Sequence, residues 1–147
     1  MSGFLIPLEA VGALVCLLVL LVVGVVVRRR WLGRGVGTFD CSLRTSLERM
    51  GKGWTLGVAR YEADRIEWFR VFGIALSPAR VLRRSDLAVQ ERRYPSGPEA
   101  FAVMSGAVIV RCAYESRQIE LAMSDQAYTG FASWLEAAPP GQNVSVA

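Results

Sequence analysis

The chain has no histidine, one lysine and three cysteines among its 147 residues. Each shortage removes a class of chemistry. Without histidine, the commonest general base near neutral pH is missing. A zinc site needs clustered Cys or His ligands, and Cys16, Cys41 and Cys112 are far apart with no C-x-x-C spacing. Cys41 and Cys112 fall at apolar-facing positions of expected strands and read as buried thiols, not as a nucleophile or a disulfide. Basic residues are also missing from the start of the chain, where no Lys or Arg precedes Arg28. A cleaved secretion signal has a basic region before its apolar stretch and small residues after it. Here that order is reversed, and RRRW stands where the small residues would be.

What the N-terminal region does have is an unbroken run of eighteen uncharged residues, 10–27, almost all Val, Leu, Ala or Gly. At about 1.5 Å rise per residue, a helix of this length crosses most of a ~30 Å hydrocarbon core. Arg28, Arg29 and Arg30 follow it directly, and Trp31 suits the headgroup zone. This pattern predicts an uncleaved single-pass anchor in the cell membrane, with the N-terminus outside and the C-terminal domain cytoplasmic. The expected divisions are an anchor over 1–27, a basic juxtamembrane linker over 28–36, a cytoplasmic β-rich domain over 37–138 and a flexible tail over 139–147. All seventeen basic residues and twelve of the thirteen acidic ones follow residue 27. The excess positive charge suits an anionic inner leaflet, where each basic residue near the surface contributes ~1 kcal/mol.

From Gly37 the hydrophobic period changes to two. In TFDCSLR, Phe39, Cys41 and Leu43 share one face and Asp40, Ser42 and Arg44 the other. WTLGVARY and RIEWFRVF predict a hairpin closed by EAD, with Trp54, Leu56 and Val58 alternating in the first strand and Ile66, Trp68 and Phe72 in the second. ARVLRR and LAVQERRY predict two more strands joined by a tight turn at Ser85–Asp86, and YPSGPE predicts a loop. GAVIVRCAYES and RQIELAMS form the last pair, with Ile119, Leu121 and Met123 inward and Gln118 and Glu120 outward. In DQAYTGFASWLEAA, Tyr128, Phe131 and Leu135 make a helical stripe with Trp134 beside it. Ser124 is the expected N-cap, and Asp125 favours the positive end of the helix.

The expected fold is one N-terminal transmembrane helix plus an α+β domain. That domain would be an antiparallel sheet or small barrel of about seven strands, capped by a C-terminal helix. This order of elements resembles pleckstrin-homology-like domains. Over essentially its full length the chain also resembles a small actinobacterial domain-of-unknown-function family of single-span membrane proteins with a short cytoplasmic domain. The segments VVVRRRWLGRG, GWTLGVARY with RIEWFR, and RVLRRSDLAVQERRYP carry that likeness, which implies a membrane location and brings no activity with it.

Candidate chemistry centres on Arg80, Arg83, Arg84, Arg92 and Arg93. If a tight turn paired their strands, these guanidinium groups would share a surface suited to phosphate or carboxylate. The bland reading is a solvated edge, paired with Asp86 and Glu91, that discourages aggregation. Arg28, Arg29, Arg30 and Trp31 are the expected membrane-interface residues. GRGVG and GKG do not supply the G-x-x-x-x-G-K-[ST] phosphate loop. The acids Glu62, Asp64 and Glu67 read as a solvated hairpin turn in preference to a metal site. Strand and helix periodicity places most of Trp54, Trp68, Phe69, Phe72 and Trp134 in the core, and with the membrane tether no nucleic-acid partner is expected; no cofactor is expected either. The leading expectation is a membrane-tethered, non-enzymatic interaction module that binds an acidic lipid, a peptide or a membrane complex. The alternative is an accessory single-span subunit of a larger membrane complex, working mainly through its helix.

Overall fold

The computed structural model describes residues 5–32, 34–35, 37–47 and 52–137, in two compact units, Met1–Arg34 and Gly35–Ala147. The first unit is a single helix, α1 (Leu5–Leu32). Its stretch Leu8–Trp31 is long and apolar enough to cross a membrane, and its leucines and valines are exposed. The helix does not stop at Val27 but continues through Arg28, Arg29 and Arg30, so these residues stand on its last turns and not in an irregular linker. Arginine is a good helix former, and cations at a helix C-terminus complement its dipole. Residues 33 and 36 of the expected linker, and the expected tail 139–147, lie outside the described residues.

The second unit contains β1 (Thr38–Arg44), β2 (Trp54–Thr55), β3 (Gly57–Tyr61), β4 (Arg65–Arg70) and β5 (Arg80–Arg83). A 3₁₀ turn, Arg84–Asp86, leads to β6 (Leu87–Arg93), the one-turn helix α2 (Glu99–Ala102), β7 (Ala107–Tyr114), β8 (Arg117–Ser124) and α3 (Asp125–Glu136). Seven strands form one curled antiparallel half-barrel in the order β5-β4-β3-β1-β8-β7-β6, with β2 paired beside β1. The expected fold class is therefore present.

The inner face of the sheet carries Cys41, Leu43, Ile66, Trp68, Val108, Val110, Ile119, Leu121 and Met123, all buried. The amphipathic stripe of α3 covers it. Phe131 is fully buried there, and Tyr128, Trp134 and Leu135 pack beside it. Burying such a ring contributes ~1.5–3 kcal/mol. Ser124 caps the helix, its hydroxyl accepting from the Ala127 N–H at 3.1 Å, and the Trp134 indole N–H donates to the Glu62 carbonyl at 3.0 Å.

Three expectations fail here. The Arg-rich strands β5 and β6 do not pair. They form opposite edges of the sheet, because the 3₁₀ turn between them crosses the open side of the half-barrel in place of a hairpin turn. In the first hairpin the core side of β3 belongs to Gly57, Ala59 and Tyr61, while Leu56 is exposed and Val58 is buried on the other face. The Trp68 indole sets this register. A Cβ on Gly57 would stand 2.3 Å from its ring, so only glycine leaves room for it. Finally, Phe72 lies beyond the end of β4 and is exposed.

The outer face is also covered. Residues 94–106 pass over it with α2, and Val103 joins Ala107, Ile109 and Ala122 in a second small cluster against which Trp54 and Met104 pack. The face that alternation marks as polar is therefore dry where Ser42, Arg44 and Glu120 stand.

Candidate functional site

The structure separates the five arginines that the sequence grouped. Arg80 and Arg83 on β5 are exposed and carry no ion pair among the described residues. Arg84, in the 3₁₀ turn, is buried with its guanidinium 4.3 Å above the Trp134 ring, and its Nε has no hydrogen-bond partner among the described residues. Arg92 points to the inner side of β6, where it pairs with Asp125 and lies 4.6 Å from the Tyr128 ring. Its neighbour Arg93 points to the opposite face, as alternation along a strand requires.

On that outer face Arg93 belongs to a buried charge network with Arg44, Arg111, Glu99 and Glu120, four of whose members the sequence did not single out. β1, β8, β7 and β6 bring Arg44, Glu120, Arg111 and Glu91 into one cross-strand row of alternating sign. Glu120 is completely buried and accepts from Arg44 at 2.9 Å, Arg93 at 3.1 Å and Arg111 at 3.1 Å. Glu99, from α2, accepts from Arg93 at 2.6 Å, Arg44 at 3.2 Å and the Trp54 indole at 3.3 Å. The Arg93 guanidinium beside Glu99 holds its carboxyl below the usual carboxylate range, and Glu99 in turn raises Arg93. A cavity of about 540 Å³ lies against these residues. Its charges are already satisfied by one another, so a charged ligand would have to break a buried ion pair, which costs ~3–5 kcal/mol. The network pins segment 94–106 to the sheet.

The acids at the β3–β4 hairpin are likewise spent on arginine. Glu67 receives Arg60 at 2.6 Å and Arg65 at 3.2 Å, and these contacts, Arg60 foremost, lower its pKa. Among the described residues no three His, Cys, Asp or Glu side chains gather as a metal site would need. Cys41 and Cys112 are buried free thiols; burial pushes Cys112 up to about 12 and Cys41 higher still.

A second cleft, of about 520 Å³, opens where edge strand β5 faces the tip of the β7–β8 hairpin. Its floor is apolar, formed by Leu43, Leu82 and Ile119, each 5% exposed or less. Tyr114 bridges its two sides, its hydroxyl donating to the Val81 carbonyl at 3.1 Å. Arg80, Arg117 and Glu115 line it, all exposed, and neither arginine is in an ion pair among the described residues. An apolar floor below two uncommitted guanidinium groups suits an amphiphile with an acidic head. Arg80 was legible in the sequence. Arg117, at the first position of the last strand, became visible only when the sheet closed. Among the expected membrane-interface residues, Arg29 and Arg30 stand in the last turn of α1 with Arg28 just before them, and Trp31 is 78% exposed.

An uncharacterised protein of Mycobacterium tuberculosis is 35% identical over 94 residues, which is 60% of this chain and 63% of the relative. An uncharacterised protein of Mycobacterium leprae is 33% identical over the same shares. The chain thus spans less than two thirds of the length of these curated relatives. No solved structure matches it. Residues 14–141 match the family model described as protein of unknown function (DUF2550), and the chain belongs to that family.

Proposed function

We propose that the chain is a membrane-anchored, non-enzymatic interaction module that holds an acidic amphiphile, a lipid headgroup with part of its tail, at the inner leaflet. In this reading α1 crosses the cell membrane with its N-terminus outside, and the half-barrel works in the cytoplasm. One observation carries the ligand class: the cleft between β5 and the β7–β8 hairpin joins an apolar floor to Arg80 and Arg117, which form no ion pair among the described residues although Glu115 also lines the cleft. The other expected anion-binding arginines are less available. Arg92 and Arg93 are spent on Asp125, Glu99 and Glu120, and Arg84 is buried on Trp134. The anion-binding set therefore narrows to Arg80 and Arg117, with exposed Arg83 nearby on the same strand.

The test is calorimetry on the full chain in a neutral detergent, titrated with a short-chain phosphatidic acid. Saturable binding is expected. It should weaken as salt rises, because exposed charges are screened beyond ~10 Å at 0.1 M. The double variant Arg80→Gln, Arg117→Gln should lose it, and Arg92→Gln should keep it. Equal binding by the double variant and the wild type would refute the cleft. No binding by the wild type at low salt would favour the alternative of an accessory subunit working through its helix.

A further inference from the structure

Loop 71–79 joins β4 to edge strand β5 and presents three apolar side chains to solvent. Phe72 is 74% exposed, Leu76 83% and Ile74 100%. A single exposed apolar residue is ordinary. Three at alternate positions on one short loop, each outside the core, are not accounted for by the folding of the domain. Arg70 and Arg80 bracket the loop as the last residue of β4 and the first of β5. Apolar tips between basic shoulders match the interface of a bilayer, where the tips enter about 5–10 Å and the cations stay among the headgroups. We propose that loop 71–79 inserts Phe72, Ile74 and Leu76 into the interfacial zone of the membrane that α1 spans, giving the domain a second point of attachment. The inference rests on the reading of α1 as an anchor.

Only five residues, 33–37, separate α1 from β1, so an anchored α1 holds the second unit at a membrane surface. Lipid also fits better than protein as the occupant. A stable protein interface covers about 800 Å² on each partner, which three separate loop tips do not provide. Insertion would have a consequence as well: Ala79 and Arg80, which end the loop, line the cleft, so a seated loop brings the cleft to the headgroups.

The experiment uses the full chain in vesicles of phosphatidylcholine and phosphatidylglycerol. Cys16 is replaced by serine; Cys41 and Cys112 are 1% and 0% exposed and do not compete for label. A polarity-sensitive fluorophore is placed on Ile74→Cys and, as a control, on Gln90→Cys of exposed β6. With iodide on both sides of the bilayer, the label at 74 should shift to the blue, resist iodide and be quenched by a shallow spin-labelled lipid. The label at 90 should remain aqueous. Adding Phe72→Ser and Leu76→Ser should return most of the iodide quenching at 74. Equal iodide quenching at 74 and 90, in protein that floats with the vesicles, would overturn the inference while leaving the anchor intact. Protein that fails to float would overturn the anchor and the inference together. Protection of 74 in cell membranes but not in pure lipid would assign the loop to a protein partner and overturn insertion into lipid.

Discussion

At the scale of single residues, the chain spends its charge in two ways, and Glu99 and Arg80 stand for them. Glu99 is buried beside Arg93, and that guanidinium lowers its pKa. A carboxyl whose folded pKa lies below its unfolded one binds fewer protons when folded, so its contribution to stability is full above the unfolded pKa. That contribution is lost as pH falls through the folded value. Thermal unfolding of the full chain in detergent should therefore show stability falling with acid from the ordinary carboxylate range downward. Glu99→Gln should flatten that slope while lowering stability at neutral pH; an unchanged slope would mean that the pair does not tighten the fold. The buried thiols and the Ser124 cap were legible in the sequence because alternation and capping are local. The network of Arg44, Arg93, Arg111, Glu99 and Glu120 was not. Its members span more than seventy positions from 44 to 120, and only the register of four strands brings them together. Glu120 points outward as expected, but outward here means beneath segment 94–106.

Among the elements, those with the clearest local patterns are present: the β7–β8 hairpin, β1 with Phe39, Cys41 and Leu43 inward, and α3. Adjacency misled for β5 and β6, since a short connection between strands suggests a hairpin, whereas Arg84–Asp86 carries the chain across the open side of the half-barrel. Alternation alone also could not tell which face of β3 is the core, because the deciding fact is the volume of Trp68 on Gly57. α3 closes the inner face chiefly through Phe131, which is fully buried. Phe131→Ala should destabilise the domain by ~3–5 kcal/mol, measured by denaturant unfolding of the full chain in detergent. A loss well under 1 kcal/mol would make α3 a peripheral element.

For the molecule as a whole, the question is how two units so different in character work as one protein. Over residues 10–27 α1 has no polar face to turn toward water, and a helix apolar all round needs either a protein interior or a membrane around it. The leucines and valines between residues 8 and 27 are exposed, which supports the proposed anchor. The second unit, by contrast, carries its core inside and pairs the buried Glu99 and Glu120 with Arg44, Arg93 and Arg111. The proposed orientation rests on the placement of every Lys and Arg of the sequence after residue 27, since basic residues flanking a span favour the cytoplasmic side. A reporter that is active only in the cytoplasm, fused after Ala147, is expected to be active. The mass of the protein recovered from membranes should still include α1. A reporter that works only outside the cytoplasm would reverse the orientation and remove the inner leaflet as the source of the acidic ligand. A mature protein lacking α1 would make the helix a cleaved signal. In either case Arg80, Arg117 and loop 71–79 would have to be reread against a different partner, because their proposed roles depend on a cytoplasmic membrane surface.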